Sequence, residues 1–263
     1  MASSTVRAGS DKWEALGPFA SAATVEAISR PEGGSLLLVS SPETVGGFWS
    51  GGLGGTWRVI VPPTRCPVTT CLVGSHADPR RWWLSTGALS EAHESGIFRT
   101  DDKGSTWQRL ATEPAPGESF RSVCAHREGR FLVAVTAEGS MQVSRDGGDT
   151  WKFEDLTADR EVADGGATFH DARLEHGDRP VRVVAFAQHG NALFAATAGV
   201  WYPGNPPVIT AGQGVLRSTD NGSTWHDASG DLPNLDVRTL AVDPDGPCLY
   251  AGLRGGSVHR LAL

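Results

Sequence analysis

The chain has 263 residues, 39% of them hydrophobic and 20% charged, which is enough apolar material for a packed core and excludes global disorder. Its 30 acidic residues outnumber its 23 lysines and arginines for a net charge of -7, and a nucleic-acid backbone needs a basic face, so nucleic acid is excluded as the main partner. The 33 glycines and 9 tryptophans point to short strands joined by tight turns.

Residues 1–10 carry one arginine and no apolar run, so no secretory signal is read there, and nowhere does the chain approach the ~18 apolar residues of a membrane helix. A monomeric protein without a membrane partner is expected, cytoplasmic, or secreted if a leader has been removed. Lys12-Trp13-Glu14-Ala15-Leu16 then reads as a strand. Next comes Ser50-Gly51-Gly52-Leu53-Gly54-Gly55-Thr56-Trp57, a degenerate copy of a pattern that recurs in full three times. The full copies run Thr100 to Trp107, Ser144 to Trp151 and Ser218 to Trp225, in the form S/T-x-D-x-G-x-T-W. Their structural positions are read as Asp101, Gly104 and Trp107, then Asp146, Gly148 and Trp151, then Asp220, Gly222 and Trp225. The physics is local. An acidic side chain accepts hydrogen bonds from turn N–H groups that lack a ladder partner, glycine supplies the positive φ, and the indole covers the turn.

Apolar strands fill the intervals. Arg121 to Gly129, Arg182 to Gly190 and Arg238 to Gly246 each hold an arginine eight residues before a turn glycine, with a strand between and another after the turn. A third strand enters each repeated turn and a fourth leaves at its tryptophan, which makes a four-stranded blade. The turn tryptophans 57, 107, 151 and 225 are 50, 44 and 74 residues apart. The last interval therefore holds insertions, near 155–180 and 199–213. After Trp225 three strands remain, and the strand at Trp13 supplies the missing fourth. The expectation is an all-β, five-bladed β-propeller of four-stranded antiparallel blades, one domain over residues 1–263, its ring closed by the N-terminal strand.

The repeated pattern resembles the Asp-box, or BNR repeat, of sialidase-like β-propellers. The resemblance implies that ligands bind over the central channel, on the face opposite the boxes, where both insertions also fall. It does not extend to a true sialidase. That family's six blades, Arg-Ile-Pro motif and Tyr–Glu pair are missing, since Arg58-Val59-Ile60-Val61-Pro62 has the wrong spacing and Tyr250 sits in a repeat strand.

Candidate residues follow from that face. Arg121, Arg182 and Arg238 start inner strands and could converge on one anion, or simply bond neighbouring loops. Trp201 and Tyr202, in the second insertion, could form an aromatic platform for a glycan. His170, Asp171 and His176 in the first insertion, and Glu91 and His93 on the loop between two strands of the second blade, are acid/base candidates. No cofactor or bound metal is expected. Trp82-Trp83 reads as blade packing. Cys66, Cys71, Cys124 and Cys248 have no zinc spacing; they read as buried reduced thiols, Cys71 and Cys124 at matching repeat positions, with a Cys66–Cys71 bridge left open. The leading reading is a binding module for a glycan, a small anion or a partner protein. Alternatives are an enzyme (glycoside hydrolase, lyase or cyclase) using the arginines and the 155–180 insertion, and an assembly-factor scaffold like the BNR-type proteins that help build photosystem II.

Overall fold

The computed structural model describes residues 11–18, 22, 24–41, 46–61, 68–87, 95–114, 116, 118–136, 140–154, 175–176, 179–180, 182–202, 208–220 and 222–263. All regular structure among them is β-strand. Strand β1 (Trp13–Gly17) opens the chain. Sheet I follows as β2 (Thr24–Ser29), β3 (Ser35–Ser40), β4 (Gly47–Ser50) and β5 (Arg58–Ile60). Sheet II is β6 (Thr69–Gly74), β7 (Trp82–Thr86), β8 (Gly96–Thr100) and β9 (Gln108–Arg109). Sheet III is β10 (Phe120–Ala125), β11 (Leu132–Thr136), β12 (Met141–Ser144) and β13 (Lys152–Glu154). A small hairpin, β14 (Glu175–His176) with β15 (Arg179–Pro180), lies in the first predicted insertion.

Sheet IV begins with β16 (Val183–His189) and β17 (Ala192–Thr197). The chain then makes a second hairpin, β18 (Val200–Tyr202) with β19 (Val208–Thr210), inside the second predicted insertion. It returns to complete sheet IV with β20 (Val215–Ser218) and β21 (His226–Asp227). Sheet V is β22 (Val237–Val242), β23 (Cys248–Leu253) and β24 (Val258–Ala262), and its fourth strand is β1. Trp13 pairs with Leu261, Glu14 with Arg260 and Ala15 with His259, all antiparallel. The five four-stranded sheets and the N-terminal completion of the last one agree with the strand count read from sequence.

The chain divides into two compact units, residues 26–173 and residues 1–25 with 174–263. Inside the first, successive sheets pack face to face, so middle strands are covered on both sides and read as unbroken buried runs. All of Ser35–Ser40 and all of Trp82–Thr86 are buried. Because neighbouring residues in a strand point to opposite faces, Trp82 joins Ile28, Leu38 and Ile60 in one core cluster, while Trp83 joins Cys71, Phe120 and Leu132 in another. The Trp-Trp pair is therefore blade packing, as expected. In the second unit Trp13, Phe194, Val215, Leu240 and Leu261 share one core.

The repeated turns are local hydrogen-bond cages. In the copy ending at Trp151, Ser144 Oγ accepts from the Gly148 N–H at 2.8 Å, Asp146 accepts from the Thr150 N–H at 2.9 Å and its hydroxyl at 2.6 Å, and the Trp151 indole donates to the Gly148 carbonyl at 2.9 Å. The copy ending at Trp225 repeats each bond. So does the copy ending at Trp107, but with Asp102 in the acidic role and not Asp101. The two aspartates are adjacent, and only the one two residues after Thr100 can reach back across the turn; Asp101 points away to Arg81 and Arg99. In the degenerate copy Ser50 Oγ still accepts from the Gly52 and Gly54 N–H groups. Two successive residues take positive φ in these turns, Lys103 (59°) with Gly104 (84°) and Leu53 (53°) with Gly54 (90°), so a non-glycine residue also adopts the left-handed region that favours glycine.

Bonds from the threonine hydroxyl and N–H, and from the Ser or Thr that opens the turn, hold Asp102, Asp146 and Asp220 down at about 2, against an ordinary 3.8. A depressed carboxylate contributes stability above its unfolded pKa and loses it as pH falls through the folded one. Acid melts should show a stability loss between about pH 4 and pH 2, shrinking stepwise as the three aspartates are changed to asparagine. At neutral pH, Asp102→Ala should lower the Tm clearly more than Asp101→Ala; equal effects in thermal denaturation would contradict the cage assignment.

Candidate functional site

The inner strands share one irregularity at their first turn of chain. Register shifts occur between Thr69 and Cys71, Phe120 and Ser122, Val183 and Ala185, and Val237 and Thr239. Each is a bulge, with Thr70, Arg121, Val184 and Arg238 as the extra residue, and bulges re-aim side chains at strand ends near functional sites. Arg121 and Arg238 are thus structurally equivalent. Arg182 is not, because it lies two residues ahead of the bulge, where Val184 stands. The eight-residue spacing misaligned it because sheet IV closes its first hairpin with only Gly190 and Asn191 between His189 and Ala192, whereas longer connections separate Ala125 from Leu132 and Val242 from Leu249.

The three arginines also differ in their surroundings. Arg238 is held by Asp236, two residues before it, through contacts of 2.8 and 2.9 Å. Asp236 also accepts from the Gly199 N–H at 3.4 Å and lies 4.0 Å from Arg254. This carboxylate neutralises Arg238 and ties the start of the second insertion to β22. Arg182 is exposed, and its carbonyl accepts from the Ala198 N–H at 3.1 Å. Arg121, in the other unit, is exposed and makes no ion pair among the described residues. Of the three, Arg238 alone has its charge taken up by a carboxylate among the described residues.

Trp201 and Tyr202 lie in strand β18, opposite Ile209 and Val208, so they belong to a hairpin and not to an irregular loop. His176 is in β14, opposite Arg179. Glu91, His93, His170 and Asp171 lie outside the described residues, as does Cys66. Tyr250 is fully buried and donates to Asp243 at 3.0 Å, and burial, then the Asp243 charge, push its phenol up. A buried phenol on a structural carboxylate suits core packing and not nucleophilic attack. Among the described residues no cluster of three or more His, Cys, Asp or Glu side chains could hold a metal ion.

The three described cysteines are free thiols, as expected, but only Cys71 is buried. Cys71 is buried, donates to the Val123 carbonyl at 3.2 Å, and burial pushes its thiol up to about 11. Cys124 is exposed. It is not the repeat equivalent of Cys71; counted from the bulges, Ser122 is, and Cys124 alternates to the face opposite the buried Val123. Sequence reading also passed over Glu26, a carboxylate set between the buried Val25 and Ala27 and facing His76. Its signal was available: a lone acidic residue inside the apolar run Val25-Glu26-Ala27-Ile28.

No family model matches the sequence. The photosystem II assembly protein Ycf48 of Synechococcus sp. (strain JA-2-3B'a(2-13)) is 25% identical over 185 residues, 62% of this chain and 52% of that protein. A xyloglucanase of Paenibacillus sp. is 28% identical over 183 residues, 64% of this chain and 17% of the enzyme. The chain thus spans about half the length of the assembly protein and far less of the enzyme. Among solved structures, YCF48 bound to D1 peptide superposes with a TM-score of 0.58 at 13% identity, covering 98% of this chain and 96% of that one. These relatives are β-propeller proteins, and this chain shares their fold.

Proposed function

We propose that the chain is a five-bladed Asp-box propeller, its ring closed by β1, which serves as a scaffold that binds a segment of a partner protein. The observation that carries this reading is the fold match along nearly the whole chain to a propeller whose solved complex holds a peptide, joined to sequence similarity with an assembly protein of the same name. The bulged inner-strand ends support a docking place for such a segment, and the exposed Arg121 offers a cation for a peptide carboxylate. The similarity to a xyloglucanase favours a second reading, a module that holds a glycan.

One experiment separates the two. Peptides with free C-termini are selected from a displayed random library on the immobilised chain, and the best is measured by fluorescence anisotropy beside xyloglucan oligosaccharides. The expected result is saturable peptide binding, weakened about tenfold or more by Arg121→Ala, in line with the loss of a charge-assisted contact. Oligosaccharide binding without peptide binding would overturn the scaffold reading.

A further inference from the structure

We propose that the degenerate turn of sheet I is a socket for a carboxylate on an acidic segment of a partner protein, which supplies in trans the acid that the other three turns carry in their own chain. The turn is built as its siblings are. Ser50 Oγ accepts from the Gly52 and Gly54 N–H groups at 3.3 and 3.0 Å, as Ser144 Oγ does from those of Asp146 and Gly148. Gly52 therefore stands where Asp102, Asp146 and Asp220 stand. In those three copies one carboxylate oxygen takes the threonine N–H at 2.8 or 2.9 Å, and the other takes its hydroxyl at 2.6 Å. Thr56 has the same two donors, is exposed, and bonds no acceptor among the described residues. A Cβ on Gly52 would meet nothing within 4 Å, so the place of the missing acid is open. Two donors on one threonine match the two oxygens of a planar carboxylate.

The surroundings are cationic. A Cβ on Gly51 would lie 3.4 Å from the Trp49 ring and 3.7 Å from an Arg30 nitrogen, so the turn sits against both. Arg58, the ladder partner of Trp49, holds its guanidinium 5.1 Å from that ring's centre, and Lys103 Nζ, from the turn of sheet II, lies 5.9 Å from it. Neither cation forms an ion pair among the described residues. The acids beside Lys103 are committed elsewhere, Asp101 to Arg81 and Arg99 and Asp102 to its own cage. Glu32 lies 3.6 Å from Arg30, whose buried Nε has no partner. On a chain of net charge -7 this turn is thus a local positive patch. Cations already placed against an aromatic ring suit an incoming acidic side chain.

This socket is in sheet I and does not rest on Arg121, which is in sheet III. A labelled hexa-aspartate with an amidated C-terminus offers side-chain carboxylates only, and so keeps the two apart. Its binding to the full chain is read by fluorescence anisotropy and by the Thr56 amide shift. The expected result is saturable binding that moves the Thr56 amide and is weakened about tenfold or more by Gly52→Asp, which fills the socket from within the chain. Val59→Asp adds the same charge beside Arg58 at a position 65% exposed but outside the turn, and should cost clearly less. Equal losses in the two variants would mean diffuse repulsion and overturn the socket. So would no binding at millimolar peptide, binding that leaves the Thr56 amide unmoved, or a Thr56 amide that answers to inorganic phosphate and not to the peptide. Should Gly52→Asp not fold, Thr56→Val, which removes the hydroxyl, takes its place. A loss of about threefold or more then upholds the socket, and unchanged binding refutes it.

Discussion

Replacing Trp83 with alanine should remove about 3–5 kcal/mol of stability, the usual cost of emptying a fully buried indole site. Trp83 is completely buried on β7 and packs with Cys71, Ile97, Leu110, Phe120 and Leu132. Its indole donates to the Gly147 carbonyl at 3.1 Å, which links the second blade's core to the repeated turn of sheet III. Loss of that donor adds little, because Arg99 donates to the same carbonyl at 3.1 Å. The cavity is the main effect. It cannot collapse easily, since the backbone at Gly129 already sits so close that a Cβ there would lie 2.9 Å from the Trp83 ring. Domains commonly hold only about 5–15 kcal/mol in total, so this one change consumes a large share. Urea denaturation should show a lower midpoint at unchanged slope. Trp83→Phe should lose clearly less. A Trp83→Ala loss below about 1 kcal/mol would mean the ring is not core.

Deleting residues 1–17 should have a larger effect, yielding protein that self-associates or precipitates where the full chain does not. Strand β1 is the outer strand of sheet V, and without it the ladder edge of β24 is bare. Bare edges recruit other strands. The deletion also empties a core position, because Trp13 is 7% exposed and shares the cluster of Phe194, Leu249 and Leu261. Its indole donates to the Ala228 carbonyl at 3.1 Å and its backbone N–H to Asp231 at 2.6 Å, so both acceptors lose their partner. That indole bond distinguishes Trp13 from the tryptophans of the repeated turns, which bond the glycine three residues back. It fills the same place in the repeat with a different partner. Size-exclusion chromatography of the refolded deletion is the readout. A deletion that elutes as a monomer and melts with the parent would contradict this role.

What could be read from sequence was what is encoded locally. The turn pattern, its positive-φ glycines, the apolar strands and the need for a strand around Trp13 all come from short-range periodicity, and the structure has each of them. Register is a different matter. A bulge adds one residue without changing composition, and hairpin length varies between sheets. Spacing therefore paired Arg182 with Arg121 and Cys124 with Cys71, where the ladders pair Val184 and Ser122 instead. The choice of Asp101 over Asp102 has a different origin: the pattern S/T-x-D counted from Thr100 already places the acid at Asp102, the residue that reaches Thr106. The β14–β15 and β18–β19 hairpins were hidden in segments read as insertions. The tie of Arg238 to Asp236 was local in sequence, yet nothing in composition says that a carboxylate two residues away takes up the charge instead of a ligand.

The most direct measurement is a cross-link between the two ends. Glu14 and Arg260 are ladder partners whose side chains form an ion pair, so they share one face of sheet V. Antiparallel partners lie about 4.5–5.5 Å apart at Cα, within disulfide range. Oxidised Glu14→Cys/Arg260→Cys should yield one intramolecular bridge, located between positions 14 and 260 by peptide mapping, with an elution volume unchanged and a Tm above that of the reduced form. Free thiols at both positions after oxidation, or bridges formed only between molecules, would show that the N-terminal strand does not complete the last sheet.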